Sequence, residues 1–249
     1  MILLKNENEI EKIRVSSKYA IEMLYYLKDF IKEGMKTIEL ETLCENRIRK
    51  IKKVKPAFKG YNGFPYCLCV SVNDEVVHGM PGEYVLKKGD IVSLDFGIYC
   101  DGFYGDVAIT QGVGELPETT EKLVRTTEKS LYKAIDKAAE GNRLHDISNA
   151  VQTFVECSGF SIVRDFVGHG IGKNLHEDPQ VPNFGVEGTG IRLKKGMVFA
   201  IEPMVNLGKK DVIIAENGWT AKTKDGSLSA HFEHTVAITA NGPDILSRI

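Results

Sequence analysis

The chain has 249 residues, 43% hydrophobic and 27% charged, an ordinary globular composition that argues against disorder and is long enough for one large core or two modest ones. Lysine and arginine number 32 against 34 acids, so the formal charge of -2 supplies no long-range field to gather nucleic acid or an anionic membrane. No apolar run approaches the roughly 18 residues a spanning helix needs, and the N-terminus turns charged at Lys5, so neither a signal segment nor an anchor is expected.

From about Glu7 to Ile31, the residues Ile10, Ile13, Ala20, Met23, Leu24, Leu27 and Ile31 recur at spacings of three, four and seven. That stripe predicts an amphipathic helix, stopped by Glu33-Gly34. Thr37 reads as the N-cap of a second helix to about Ile51, with Leu40, Leu43, Ile48 and Ile51 on its buried side. Strands follow near 67–72, 90–99 and 103–110. The first carries Cys67 and Cys69 on one face, where Cys67 reads as a buried small hydrophobe. The five cysteines, Cys44, Cys67, Cys69, Cys100 and Cys157, form no Cys-x-x-Cys pair, so a reducing cytosol suits them better than a disulfide framework or a zinc finger.

After Pro117 the order returns: a helix to about Ala139, a Glu140-Gly141 stop, a helix near 145–157, then strands near 161–167, 197–205, 211–216, 219–223 and 230–239. Glu33-Gly34 and Glu140-Gly141 lie 107 residues apart, as do Leu86-Lys87-Lys88-Gly89 and Leu193-Lys194-Lys195-Gly196, and Gly63 and Gly170. A constant offset over separated segments predicts one domain with an internal duplication, about 7–112 and 117–249.

The repeat aligns two acids, Asp95 six residues after Gly89 and Glu202 six after Gly196, each expected to close an apolar strand. A buried carboxylate is costly unless paired or bound to metal. Singly, such an acid faces water about as often, but two at equivalent places point to a shared site. Asp101-Gly102 reads as a two-residue hairpin turn, so Asp95 faces Ala108 and Asp106 faces Gly97. Asp95 and Asp106 are then diagonal neighbours, about 7–8 Å apart, and no basic residue flanks them. Like charges so close need a raised pKa or a cation between them.

His169 stands between Gly168 and Gly170, bare neighbours expected to let the backbone approach a ligand, and His176 follows seven residues later. Either histidine alone is more often structural. In Ser229-Ala230-His231-Phe232-Glu233-His234-Thr235, alternation places His231, Glu233 and Thr235 on one strand face. Four carboxylates and one imidazole suit a pair of divalent ions, manganese, iron, cobalt or zinc, better than one thiolate-held zinc. Two such ions about 3.5–4 Å apart can activate water and polarise a carbonyl, and peptide-bond hydrolysis is the natural use.

With Asn73-Asp74-Glu75-Val76-Val77-His78-Gly79, the pair Asp95 and Asp106, Gly168-His169-Gly170-Ile171-Gly172, His176-Glu177-Asp178-Pro179, Ile201-Glu202-Pro203-Met204 and Phe232-Glu233-His234-Thr235 in this order, the chain resembles type I methionine aminopeptidases over nearly its whole length. The resemblance implies the pita-bread fold, an α+β arrangement in which a curved, mostly antiparallel sheet carries two pseudo-symmetric helix pairs. It implies that Asp95 binds one metal, that Asp106 and Glu233 bridge both, and that His169 and Glu202 complete the other, with room for an additional monovalent cation. The implied reaction is removal of N-terminal methionine, before a small second residue, from nascent polypeptides at the ribosome by a monomeric cytoplasmic enzyme. A water between the metals would be the nucleophile and Glu202 would take its proton, while Asp95 with a metal would orient the α-amine. His176 would donate to the scissile carbonyl and His78 would contact the amide nitrogen side.

The side-chain pocket implied by the resemblance is Tyr61, Phe64, Cys69, His78, Leu175 and Trp219. Sulfur and aromatic edges suit a thioether, at about 0.3–1.5 kcal/mol per contact. Trp219, after the Asn217-Gly218 turn signal, is expected early on a strand at a sheet rim. Phe58, Leu175 and His231 depart from the residues frequent in the resembled family, a small residue or cysteine, an aromatic, and a glutamine. Two other readings compete: a proline-directed aminopeptidase or prolidase, which would carry an extra N-terminal domain, and a pita-bread module that binds proteins without catalysis, which would lack ligands.

Overall fold

Helix α1 (Glu7–Lys28) buries Ile10, Ile13, Ala20, Met23, Leu24 and Leu27, the stripe read from the sequence. Asn6 caps it: its side chain accepts from the Glu9 N–H, and the Glu9 carboxylate accepts from the Asn6 N–H. The helix stops at Lys28, short of Ile31, which packs against the core from the following turn. Helix α2 (Thr37–Ile48) also ends short of Ile51, and its N-cap is Lys36 instead of Thr37. The Lys36 N–H reaches Glu39 at 2.7 Å. The Thr37 hydroxyl is instead tied to Gly82, donating to its carbonyl at 3.0 Å and accepting from its N–H at 2.9 Å.

The computed structural model describes residues 1–249. Strands β1 (Val54–Pro56), β2 (Cys69–Val72), β3 (Glu75–Val77), β4 (Ile91–Cys100) and β5 (Phe103–Gly112) complete the first half. Helices α3 (Glu118–Lys137) and α4 (Leu144–Cys157) open the second. They lead into β6 (Ser161–Ile162), β7 (Gly168–Gly170), β8 (Glu177–Val181), β9 (Val198–Ile201), β10 (Met204–Asn206), β11 (Val212–Ile214), β12 (Ala221–Thr223), β13 (Ser229–His231), β14 (His234–Thr239) and β15 (Gly242–Ile245). All strand pairs are antiparallel, in the orders β1-β4-β2 with β5 on β4, β13-β10-β6, β11-β12-β3 and β15-β14-β9-β7-β8. One core runs under all four helices, with Leu24, Leu40, Leu94, Leu131, Val151 and Phe199 among its members. No helix is long and apolar enough to cross a membrane.

Three expected strands are broken. The 197–205 strand divides at Glu202-Pro203, where proline has no N–H to give a ladder. The 230–239 strand divides at Phe232-Glu233, because the Glu233 N–H turns to the Ala108 carbonyl at 2.9 Å. Only Ser161–Ile162 of 161–167 is strand, after which the chain bends toward β7.

The helix pairs are attached by matching bonds. Gly34 N–H donates to Leu86 O at 2.8 Å and Gly141 to Leu193 O at 3.1 Å, while Thr37 donates to Tyr84 O at 3.0 Å and Leu144 to Ile191 O at 2.9 Å. Leu86 N–H returns to Met35 O at 2.8 Å and Leu193 N–H to Asn142 O at 2.7 Å. Gly34 and Gly141 are both left-handed, at φ +83 and +92, which lets each chain reverse after a helix.

Candidate active site

The β4–β5 hairpin sets Asp95 opposite Ala108 and Gly97 opposite Asp106, the register read from the sequence. Contrary to the expectation from the repeat, Asp95 does not close its strand; it lies in the middle of β4 between Cys69 of β2 and Ala108 of β5. Glu202 does close one, immediately after β9. The second half docks on this hairpin through the Thr235 hydroxyl and the backbone of Glu233. Asp106 N–H donates to the Thr235 hydroxyl at 3.0 Å, which donates to Asp106 O at 2.7 Å, while Glu233 and Ala108 exchange bonds at 2.9 and 3.3 Å. Carboxylates from both halves thereby meet.

His169 arrives on β7, opposite Ala200 of β9. Its glycine neighbours serve close packing of strands and not the approach of a ligand: a Cβ at Gly168 would strike the Ala200 carbonyl, and one at Gly170 the Asp178 carbonyl. The His169 Nδ1 donates to the Gly170 carbonyl at 2.9 Å, which leaves the Nε2 lone pair facing the acids. Burial pushes its pKa down to about 3, so the ring is neutral.

One ligand atom each from Asp106, His169 and Glu233 lie within 4.8 Å of one another, as do atoms of Glu202, His231 and Glu233. Burial raises the pKa of Asp106 to about 7, against the pull of the Val107 N–H. It raises Asp95, Glu202 and Glu233 well above the carboxylate range, and their neighbouring acids add to the effect. Neither Asp95 Oδ1 nor Glu233 Oε1 has a hydrogen-bond partner. No lysine or arginine pairs with any of the four acids. Buried, mutually repelling, orphaned oxygens beside an imidazole lone pair are what a divalent cation would satisfy, so the donor set fits metal.

These groups open onto a cavity of about 170 Å³. Asp95, Asp106, His169, Glu202 and Glu233 line it together with Tyr61, Phe64, Cys69, His78, Leu175, His176 and Trp219, so every residue singled out from the sequence for the site meets there. Phe58 lines it too, as does Asn62, which the sequence reading missed although Asn62-Gly63 is a turn signal. Trp219 is not on a strand; it lies in the turn before β12 and meets Phe64 edge to face at 5.3 Å between centroids. His176 Nδ1 is 2.8 Å from the Tyr61 hydroxyl, and its ring lies 4.3 Å from that of His169. His78 has the left-handed φ of 57, its carbonyl accepts from the Thr220 hydroxyl at 3.3 Å, and Phe166, also unforeseen, packs on its ring. Both histidines line the cavity, and burial lowers the pKa of each, that of His78 to about 4.

The family model for metallopeptidase family M24 matches residues 11–240. The chain belongs to metallopeptidase family M24. Members of this family use divalent metal, in accord with the donor set above. The chain is 55% identical to a methionine aminopeptidase of Clostridium perfringens over 249 residues, the whole of both chains. The crystal structure of the Thermotoga maritima methionine aminopeptidase covers all of both chains with a TM-score of 0.98 at 50% identity, so this M24 chain has the pita-bread α+β fold. A prolidase from Pyrococcus horikoshii shares the fold, with a TM-score of 0.77 at 21% identity; all of this chain matches 64% of that one.

Proposed function

We propose that this M24 chain removes the N-terminal methionine from polypeptides by metal-dependent hydrolysis. The observation that carries the reading is the opening of buried acids and a sulfur-and-aromatic pocket onto one cavity of about 170 Å³. Its substrates are nascent chains with a small second residue, met at the ribosome in the cytoplasm by a monomer. Whole-length likeness to methionine aminopeptidases, against a partial match to prolidase, favours methionine over proline-directed cleavage.

In this reading Asp95, Asp106, His169, Glu202 and Glu233 would together hold two divalent ions, and an oxygen-rich set with one imidazole would accept manganese, iron, cobalt or zinc. When bound, the two ions supply Lewis acidity, lowering the pKa of the attacking water and polarising the scissile carbonyl. Glu202 accepts the proton of that water, and Asp95 faces the substrate α-amine, which restricts cleavage to a terminal residue. His176 donates to the carbonyl oxygen as charge develops there, and His78 acts on the side of the amide nitrogen. Cys69, Phe64, Leu175 and Trp219 enclose the thioether, and Cys69, paired with Asp95 across β2 and β4, joins that pocket to the acids. The recurring helix-pair bonds support a further proposal, that 7–112 and 117–249 are two copies of one unit within a single domain.

Chelator-stripped protein should be inactive and should regain hydrolysis of Met-Ala-Ser when manganese, iron, cobalt or zinc is returned. Preferential cleavage of Xaa-Pro peptides by the reloaded protein overturns the assignment.

A further inference from the structure

His231 is 1% exposed, yet neither of its ring nitrogens has a hydrogen-bond partner. Its backbone is held on both sides by Thr110, whose hydroxyl accepts from the His231 N–H at 2.9 Å and donates to its carbonyl at 2.8 Å. Oε2 of Glu202 lies 3.6 Å from the ring Nε2, with a Glu233 carboxylate oxygen also within 4.8 Å of the imidazole, while Oε1 of Glu202 faces His169 Nε2, also at 3.6 Å. Glu202 is thus bracketed by two imidazoles.

The two rings differ in what they offer. His169 spends its proton on the Gly170 carbonyl and lines the cavity, so it turns a lone pair toward Glu202. A lone pair facing a carboxylate oxygen calls for a cation between them. His231 has no backbone acceptor competing for its proton and does not line the cavity. It backs Glu202 from the protein side, where a carboxylate oxygen turned away from a metal needs a donor. A movement of roughly half an ångström brings the pair into hydrogen-bond range, about 2.7–3.2 Å.

We propose that His231 is a positioning residue, donating Nε2–H to Oε2 of Glu202 and so holding Oε1 toward the His169 side, where metal binds. The inference rests on the reading of Glu202 as a metal ligand and proton acceptor. Glutamine can place a neutral N–H at a similar reach, whereas leucine fills the space and donates nothing.

The test compares parent, His231→Gln and His231→Leu proteins as metal-free and cobalt-loaded forms. Expected for His231→Leu is a loss of about 10–100-fold in the affinity of one cobalt equivalent by calorimetry. A changed cobalt absorption spectrum and a fall in kcat with little change in KM should accompany it. The metal-free variant should still unfold cooperatively, so that the loss of cobalt affinity reads as lost positioning and not as misfolding. His231→Gln should restore affinity, spectrum and kcat. Parent-like cobalt binding by His231→Leu overturns the inference. Damage in His231→Gln as deep as in His231→Leu, with an altered cobalt spectrum, also overturns it, in favour of direct ligation by His231. A parent that binds no cobalt overturns the metal reading itself, and the inference falls with it.

Discussion

The hydroxyl of Tyr61 lies 2.8 Å from Nδ1 of His176, a single bond joining two segments 115 residues apart. With the hydroxyl donating, the imidazole keeps its proton on Nε2, the nitrogen left to serve a substrate carbonyl. Tyr61→Phe is expected to lower kcat about tenfold with little change in KM, as one lost hydrogen bond worth about 1.4 kcal/mol. His176→Ala should lose about 10²–10³. Steady-state kinetics on Met-Ala-Ser decide, and an unchanged kcat in Tyr61→Phe contradicts the tautomer role.

His78 holds a left-handed backbone at φ 57, a conformation that costs a non-glycine residue about 1–3 kcal/mol and that asparagine tolerates. His78→Asn should therefore melt with the parent while kcat drops about 10²–10³. Burial keeps the ring neutral down to about pH 4, so the acid limb of the parent pH–rate profile is not set by His78 and should persist in the variant. A variant with full turnover removes the assigned role.

Metal and protons compete for the same carboxylates. Burial raises Asp106 to about 7 and the other three acids in the same direction, so the metal-free native state retains protons that the unfolded chain has already lost. Their contribution to metal-free stability is present below the ordinary carboxylate range, near pH 4, and is lost as pH rises through about 7. Bound metal replaces those protons. The difference in melting temperature between loaded and stripped protein should grow from pH 5 to 8, and a difference that stays flat argues against these acids as ligands.

Gly168 and Gly170 flank His169 because neighbouring carbonyls occupy the space of a Cβ. Gly168→Ala or Gly170→Ala should lower stability by about 1–3 kcal/mol through forced backbone shifts. Denaturant midpoints measure this. Alanine variants with the parental midpoint refute the packing explanation.

What the sequence revealed was periodic or local. The α1 stripe and the β4–β5 register followed from spacing and one Asp-Gly turn, and that register brings Asp95 and Asp106 onto one hairpin. The break at Glu202-Pro203 had a local signal in Pro203, which lacks the N–H a ladder needs, whereas the break at Phe232-Glu233 was not legible, because there a backbone N–H leaves its strand for Ala108, a partner 125 residues away. Thr37 has cap chemistry, but Gly82 claims its hydroxyl. The bond between Tyr61 and His176 and the isolation of His231 depend on tertiary placement that no spacing encodes.

The central claim is that acids from both halves converge to hold two divalent ions. Calorimetric titration of chelator-stripped protein with cobalt, followed by a Met-Ala-Ser assay at each step, tests it most directly. Two equivalents bound by the parent, fewer by Glu233→Gln, and turnover that rises with occupancy are predicted. Activity on Met-Ala-Ser that survives complete chelation, or binding unaffected by Glu233→Gln, contradicts it.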